Sequence, residues 1–232
     1  MPDLIELFGG HFMSPIEDPW TACARHRRES PVLYVDLPFR GGYLVFRYDD
    51  ALAVLRDATT FASRINAEGI GLVMGRTIIE MDGKEHTRHR NIVSTFFVPK
   101  TIREKLPPVV EATAHRMIDA FASEGRTDLV ERFTKTFPLR IVAGIIGIPI
   151  ADYEVFQRWA LAIIGFPADP AAGFEAAQAV SEFLRPIAEE RRQAPTGDLL
   201  SALVHAEVDG ERLTDEEVVS FLRLLLPAGA ET

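Results

Sequence analysis

Strand-like apolar stretches occur only near the start of the chain; beyond Asp82, helical spacing dominates. Asp18 to Glu29 places Trp20 and Ala24 among polar residues and runs towards Pro31, predicting a short amphipathic helix stopped by proline. Pro31 to Asp36 and Gly42 to Arg47, rich in Val, Leu, Tyr and Phe, predict two strands joined by a turn at Pro38 to Gly41. Asp49 to Asp57 is predicted to be a helix with an acidic opening and an apolar side formed by Leu52, Val54 and Leu55. Phe61 to Thr77 carries Gly69, Gly71 and Gly75 without any period, the signature of an irregular loop, and long loops in compact domains are often functional.

The rest of the pattern is helical. Glu85 to Thr95 is a basic helix, and Thr101 to Ser123 a longer one opened by a capping box from Thr101 to Glu104. Asp128 to Ile146 reads as one apolar helix ended by Gly147 and Pro149, and Ala151 to Ile164 as an amphipathic one. A link from Gly165 to Gly173 precedes a helix that reaches about Gln193 with Pro186 inside it as a kink. Gly197 to Glu207 is a short helix, Asp209-Gly210 a turn, and Thr214 to Glu217 a second capping box that opens the last helix. No repeat, low-complexity tract or domain-separating linker interrupts residues 1–232.

Composition narrows the function classes. The chain has 232 residues, 25 basic against 34 acidic, for a net charge of −9, which disfavours a non-specific polyanion binder and makes nucleic acid a poor partner. A single cysteine, Cys23, excludes an intramolecular disulfide and a thiolate cluster and fits a reducing cytoplasm. Met1 to Gly10 has no basic leader pattern, and the longest apolar tracts, Ile141 to Ile150 and Leu224 to Ala230, are broken by Gly and Pro. Both fall short of the roughly 20 residues that span a bilayer, so a cytoplasmic protein with no membrane segment is expected.

Two stretches carry chemical content. In Met81 to Arg90, His86 and Arg90 stand four apart on a helix, so an imidazole and a guanidinium converge on one carboxylate. The same residues also suit a solvated basic face. His86 and His89 are three apart, but no third ligand stands at a usual metal spacing, so no metal site is assigned. The second stretch is the end of the last helix. Pro227 removes a backbone donor, and Ala228 and Gly229 are followed by Glu231 and Thr232, an acid and a hydroxyl able to pass protons to a flat ligand lying against the backbone. An ordinary helix C-terminus reads the same way.

Together the two stretches resemble the cytochrome P450 monooxygenases. In that family a His-x-x-x-Arg helix holds the haem propionates, matched here by His86 and Arg90, and an Ala-Gly-x-(Asp/Glu)-Thr turn lies over the haem, matched by Ala228, Gly229, Glu231 and Thr232. The order of smaller motifs agrees: Pro31-Val32, Tyr48-Asp49-Asp50, the Met-Asp-x-x-Glu-His-Thr-Arg block, Phe97-Val98-Pro99 and Gly147-Ile148-Pro149. Gly83-Lys84 departs from a frequent Pro-Pro. The resemblance covers essentially the whole chain.

It implies a mainly α fold with a small β-sheet, the N-terminal part of the P450 prism, with residues 1–232 an incomplete domain that stops inside the central oxygen-activation helix. It further implies haem (heme b, iron), dioxygen, a small apolar organic substrate and a ferredoxin-type electron donor docking near Arg88. Glu231 and Thr232 would manage protons, Ala228 and Gly229 would leave room for oxygen, and the loop Phe61 to Thr77 and link Gly165 to Gly173, with Ile65, Ile70, Leu72, Val73 and Phe166, would flank the substrate. The family's ligand-cysteine loop has no counterpart here, and Cys23 lacks its context, so this chain alone is expected to be inactive. A truncated product would expose Leu222, Leu224, Leu225 and Leu226 as an apolar patch and associate. The alternative is a haem-free helical module that binds an apolar small molecule or a protein partner.

Overall fold

The structure is a computed structural model that describes residues 18–36, 41–94, 97–149, 153–208 and 210–231. Helix α1 (Pro19–Glu29) starts where local chemistry requires it: Asp18 accepts the Thr21 N–H at 3.0 Å, and Pro19 occupies the first turn, where its missing N–H costs nothing. Strands β1 (Val32–Asp36) and β2 (Gly41–Val45) pair antiparallel, with Leu33 opposite Leu44 and Tyr34 opposite Tyr43, whose rings meet edge to face at 5.2 Å. The expected turn between them lies outside the described residues up to Gly41. Helix α2 (Tyr48–Arg56) follows, with Asp49 and Asp50 at its electropositive end.

The Gly-rich stretch after α2 is more ordered than its lack of period predicts. Ser63–Glu68 forms a 3-10 helix, and α3 (Gly71–Met74) a single α-turn. Distant side chains impose this order. Asp82 accepts the Ser63 and Arg64 N–H groups at 2.9 and 3.2 Å, and Asn66 donates to the Ile79 carbonyl at 2.7 Å, which ties the two ends of the stretch together. Helix α4 (Gly83–Ser94) then carries the basic motif.

Two expected helices change shape. Helix α5 (Pro99–Ala122) begins two residues before Thr101, with Pro99 in its first turn and Val98 making no side-chain cap, so positions 101 and 104 fall inside the helix rather than at its expected start. Asp128 to Ile146 is two elements. Asp128 caps a π-helical turn over Val130–Thr134 through the Val130 and Glu131 N–H groups, and α6 (Phe137–Ile146) starts afresh at Pro138, which has no N–H to continue the earlier ladder. Gly147 ends α6 in the left-handed region at φ 85°.

Helix α7 (Tyr153–Ile164) and the 24-residue α8 (Pro170–Gln193, capped by Asp169, with Pro186 inside) form the most extensively packed pair, followed by α9 (Leu199–His205), a two-residue hairpin of β3 (Glu207–Val208) and β4 (Glu211–Arg212), and α10 (Asp215–Glu231). Helix α10 lies against α6, α7, α8 and α9, and the core around it holds Leu139, Ile146, Ile163, Leu184, Leu200 and Leu203. Leu222 and Leu226 are also buried there, so the expected exposed apolar stripe reduces to the half-buried Leu224 and Leu225. Val73 and Phe166 are core residues as well, whereas Ile65 and Leu72 are exposed. No described helix is long and apolar enough to cross a membrane.

The start of α10 follows its predicted capping box. Glu217 accepts the Thr214 N–H at 2.8 Å, and Thr214 Oγ1 accepts the Glu217 N–H at 3.2 Å. Thr214→Ala is expected to lower unfolding free energy by about 1 kcal/mol, read as a shift in urea midpoint.

Candidate functional site

Helix α4 brings His86 and Arg90 together. Both line a cavity of about 450 Å³ whose described walls come entirely from residues 58–90, including Ser63, Ile78, Met81 and Asp82. Neither side chain makes a hydrogen bond or ion pair with any described residue. Asp82 is the one acid in that wall, and its carboxylate is already engaged by the Ser63 and Arg64 N–H groups, which hold it below the usual carboxylate range. An imidazole and a guanidinium therefore face the cavity without an acidic partner among the described residues.

The neighbouring basic side chains are otherwise engaged. His89 is buried, with Nδ1 3.0 Å from the Glu85 carbonyl and Nε2 3.2 Å from a Glu217 carboxylate oxygen, joining α4 to the start of α10. Burial pushes the Glu217 carboxyl up, but hydrogen bonds from Thr214 and His89 outweigh that and leave it lowered. Arg88, expected on an open docking face, is ion-paired with Glu211 on β4.

The second stretch is described in part. Ala228 is exposed and joins no wall of the His86 cavity, and Glu231 is the last residue of α10. Thr232 lies outside the described residues. Gly229 has a packing reason to be glycine: a Cβ there would sit 2.1 Å from Val142 Cγ2 on α6. Cys23 is half-buried on α1, none of whose residues lines the cavity. A separate apolar cavity of about 400 Å³ opens between α5 and α6, lined by Phe97, Ile102, Leu106 and Val109 among others.

Sequence reasoning missed Arg223. It lies in α10, 8% exposed, with Nε 3.0 Å from the Met74 carbonyl and the two terminal nitrogens 2.8 and 3.1 Å from Ser181 Oγ and Ser220 Oγ. Burial lowers its pKa, opposed by Glu216 at 3.5 Å. The signal was there: a lone charge inside the apolar run Phe221 to Leu226.

The fold is that of the cytochrome P450s. The structure superimposes on a Mycobacterium marinum cytochrome P450 in complex with pseudoionone with a TM-score of 0.78 and 30% identity, over 93% of this chain and 57% of that one. A Bacillus megaterium P450 in complex with testosterone gives 0.79 and 26%, again over 93% and 57%. Among curated proteins, the erythromycin C-12 hydroxylase of Saccharopolyspora erythraea is 37% identical over 82% of this chain and 49% of its own. The methyl-branched lipid omega-hydroxylase of Mycobacterium bovis is 34% identical over 91% and 54%. The chain belongs to the cytochrome P450 family and spans about half the length of the curated relatives it matches. No family model matches it.

Proposed function

We propose that the chain forms part of a haem-thiolate monooxygenase, in which His86 and Arg90 hold the carboxylates of the haem and Glu231, at the end of α10, handles protons with Thr232, the next residue in the sequence. The carrying observation is the pair of donors without a partner among the described residues, four residues apart on α4, on one wall of a cavity. Imidazole and guanidinium suit carboxylates, and Asp82, the one acid among the described lining residues, is already engaged, so the residues present fit the propionate edge of the group. Haem, when bound with a thiolate ligand, supplies an iron centre that activates dioxygen. The thiolate is assigned to a part of the whole protein other than these 232 residues, since Cys23 stands on α1.

Within this reading, the residues of the chain bind and orient. Arg90 would offer a planar fork and His86 a single directed donor to the carboxylates of the bound group. Ala228, small and exposed, leaves the α10 surface low, while Gly229 lets α10 approach α6. Glu231 and Thr232 would take up and release protons at the end of that helix. Dioxygen, an apolar organic substrate and a ferredoxin-type donor complete the proposed reaction, in which one oxygen atom would enter the substrate and the other would leave as water, with two electrons from the donor and two protons.

The test is a carbon monoxide difference spectrum of the whole protein that contains this chain. A thiolate-type Soret band is expected, and no band or no retained haem overturns the assignment. His86→Leu and Arg90→Leu are each expected to weaken haem retention about tenfold, the scale of one charge-assisted contact. The apolar cavity between α5 and α6 favours a second reading, a haem-free binder of an apolar molecule. That reading gains if an apolar fluorescent probe binds and both variants leave its affinity unchanged.

A further inference from the structure

We infer that the groove between α5, the π-helical turn, α6 and α7 is a binding site for a small anion-bearing molecule, its phosphate or carboxylate seated between Arg116 and Arg140. The groove encloses about 710 Å³ and is lined by three arginines, Arg116, Arg132 and Arg140, together with Thr136 and Tyr153. It shares no residue with the His86 cavity.

The arginines differ in what they already hold. Arg132 is committed: its guanidinium grips Glu124 with contacts of 3.0 and 3.2 Å and donates to the Ala120 carbonyl. Arg116 makes one hydrogen bond, 3.3 Å to Thr113 Oγ1, and no ion pair with a described residue. Arg140 makes neither among the described residues, and its buried Nε has no hydrogen-bond partner. Buried donors in proteins are rarely left unpaired, and each exception asks for a partner.

Arg140 is also held ready. Its guanidinium carbon lies 4.0 Å from the centroid of the Tyr153 ring, so a cation–π stack fixes the plane of the fork before any ligand arrives. A fork fixed in advance loses less freedom on binding than a free one. Two acids also line the groove. Glu131 is ion-paired with Lys135, and among the described residues no ion pair joins Glu131 or Glu154 to Arg116 or Arg140. Thr136 and Tyr153 add hydroxyl donors, and Met117 and Ala120 an apolar strip for the body of the molecule. With a net charge of −9, the chain repels anions in general, so saturable anion binding would report a local site.

The test is isothermal titration of the 232-residue chain with pyrophosphate and, separately, with citrate at fixed ionic strength, the two probes distinguishing phosphate from carboxylate. Saturable binding of at least one probe, weakening as salt rises, is expected. Arg116→Gln and Arg140→Gln should each lower affinity about tenfold, and Arg132→Gln much less. Arg140→Lys keeps the charge and loses the fork, and should recover only part of the loss. Circular dichroism checks that each variant is folded. If Arg140→Gln unfolds the chain, Arg116→Gln decides alone, because its side chain holds no described ion pair. The inference is overturned if neither probe binds saturably, or if binding survives Arg116→Gln unchanged.

Discussion

Arg223→Met is expected to lower the unfolding free energy by about 3 kcal/mol, among the largest effects of any single substitution outside the apolar core. The side chain is nearly volume-matched, so the loss does not come from a cavity. It comes from the Met74 carbonyl and Ser181 Oγ, both of which lose a charged donor in a place water does not reach. The opposing effect is real: methionine has no burial penalty, and burying the guanidinium is costly enough to lower its pKa. The losses win because the acceptors stay buried after the donor has gone, whereas Glu216 is exposed and keeps Arg185. Arg223→Lys should recover part of the loss, since one ammonium reaches fewer of the three fixed acceptors. Urea unfolding at unchanged slope measures this. A loss below about 1 kcal/mol would mean that relief from burial cancels the lost bonds.

The network also explains where sequence reading stopped. Elements capped by their own neighbours were legible: Asp18 before α1, the Thr214 and Glu217 box before α10, and Gly147 after α6 all act within four residues. Elements ordered from a distance were not. The 3-10 helix at Ser63 depends on Asp82, 19 residues away, and α3 is tied through Met74 to Arg223, 149 residues away. Local signals also lost to stronger local ones. Pro99 and Pro138 fix helix starts because they have no N–H to donate into a preceding ladder, and each overrode a reading based on periodicity or on a box.

The candidate site divides along the same line. His86 and Arg90 were legible because four-residue spacing on a helix sets their shared side, and the cavity they line agrees. That His89, one turn away in the same motif, serves the core was not legible, because its partner Glu217 is 128 residues distant. Arg88 likewise carries the same charge as Arg90 yet is consumed by Glu211, so a basic run in sequence overstated the free positive charge on α4. Gly229 matched its motif, and its close approach to Val142 supplies a helix-packing cause that the motif does not mention.

Asp198→Ala is expected to cost about 4 kcal/mol and to remove this carboxylate's share of the acid sensitivity of the parent chain, which Asp82 and Glu217 also contribute to. Asp198 caps α9 through the Ser201 N–H at 2.7 Å and meets Arg191 at 2.8 Å, with both side chains nearly buried. Arg191 in turn donates to the Gly147 carbonyl at 3.0 Å, so one carboxylate joins the ends of α6 and α8 to the start of α9. Burial pushes the Asp198 carboxyl up, but Thr196, Ser201 and Arg191 outweigh it and leave its pKa lowered. A carboxyl lowered on folding contributes fully above its unfolded value, about 3.9, and the contribution fades as pH falls through the lower folded value. The gap between the parent chain and Asp198→Asn should therefore be flat from neutral pH to about 5 and narrow below about 4. A gap unchanged into strong acid would show that the charge is not what the joint uses. Gly147→Ala attacks the same joint from the other side, since its Cβ would sit 2.0 Å from Asp198 Oδ2 at φ 85°. Removing the carboxylate removes the contacts with Oδ2 and Cγ but leaves the Cβ of residue 198 at 2.3 Å and the backbone strain, so Gly147→Ala should cost less in the Asp198→Ala background than alone, though not nothing. The two losses should fall short of their sum by about 1 kcal/mol or more, and additivity within about 0.5 kcal/mol would refute the shared joint.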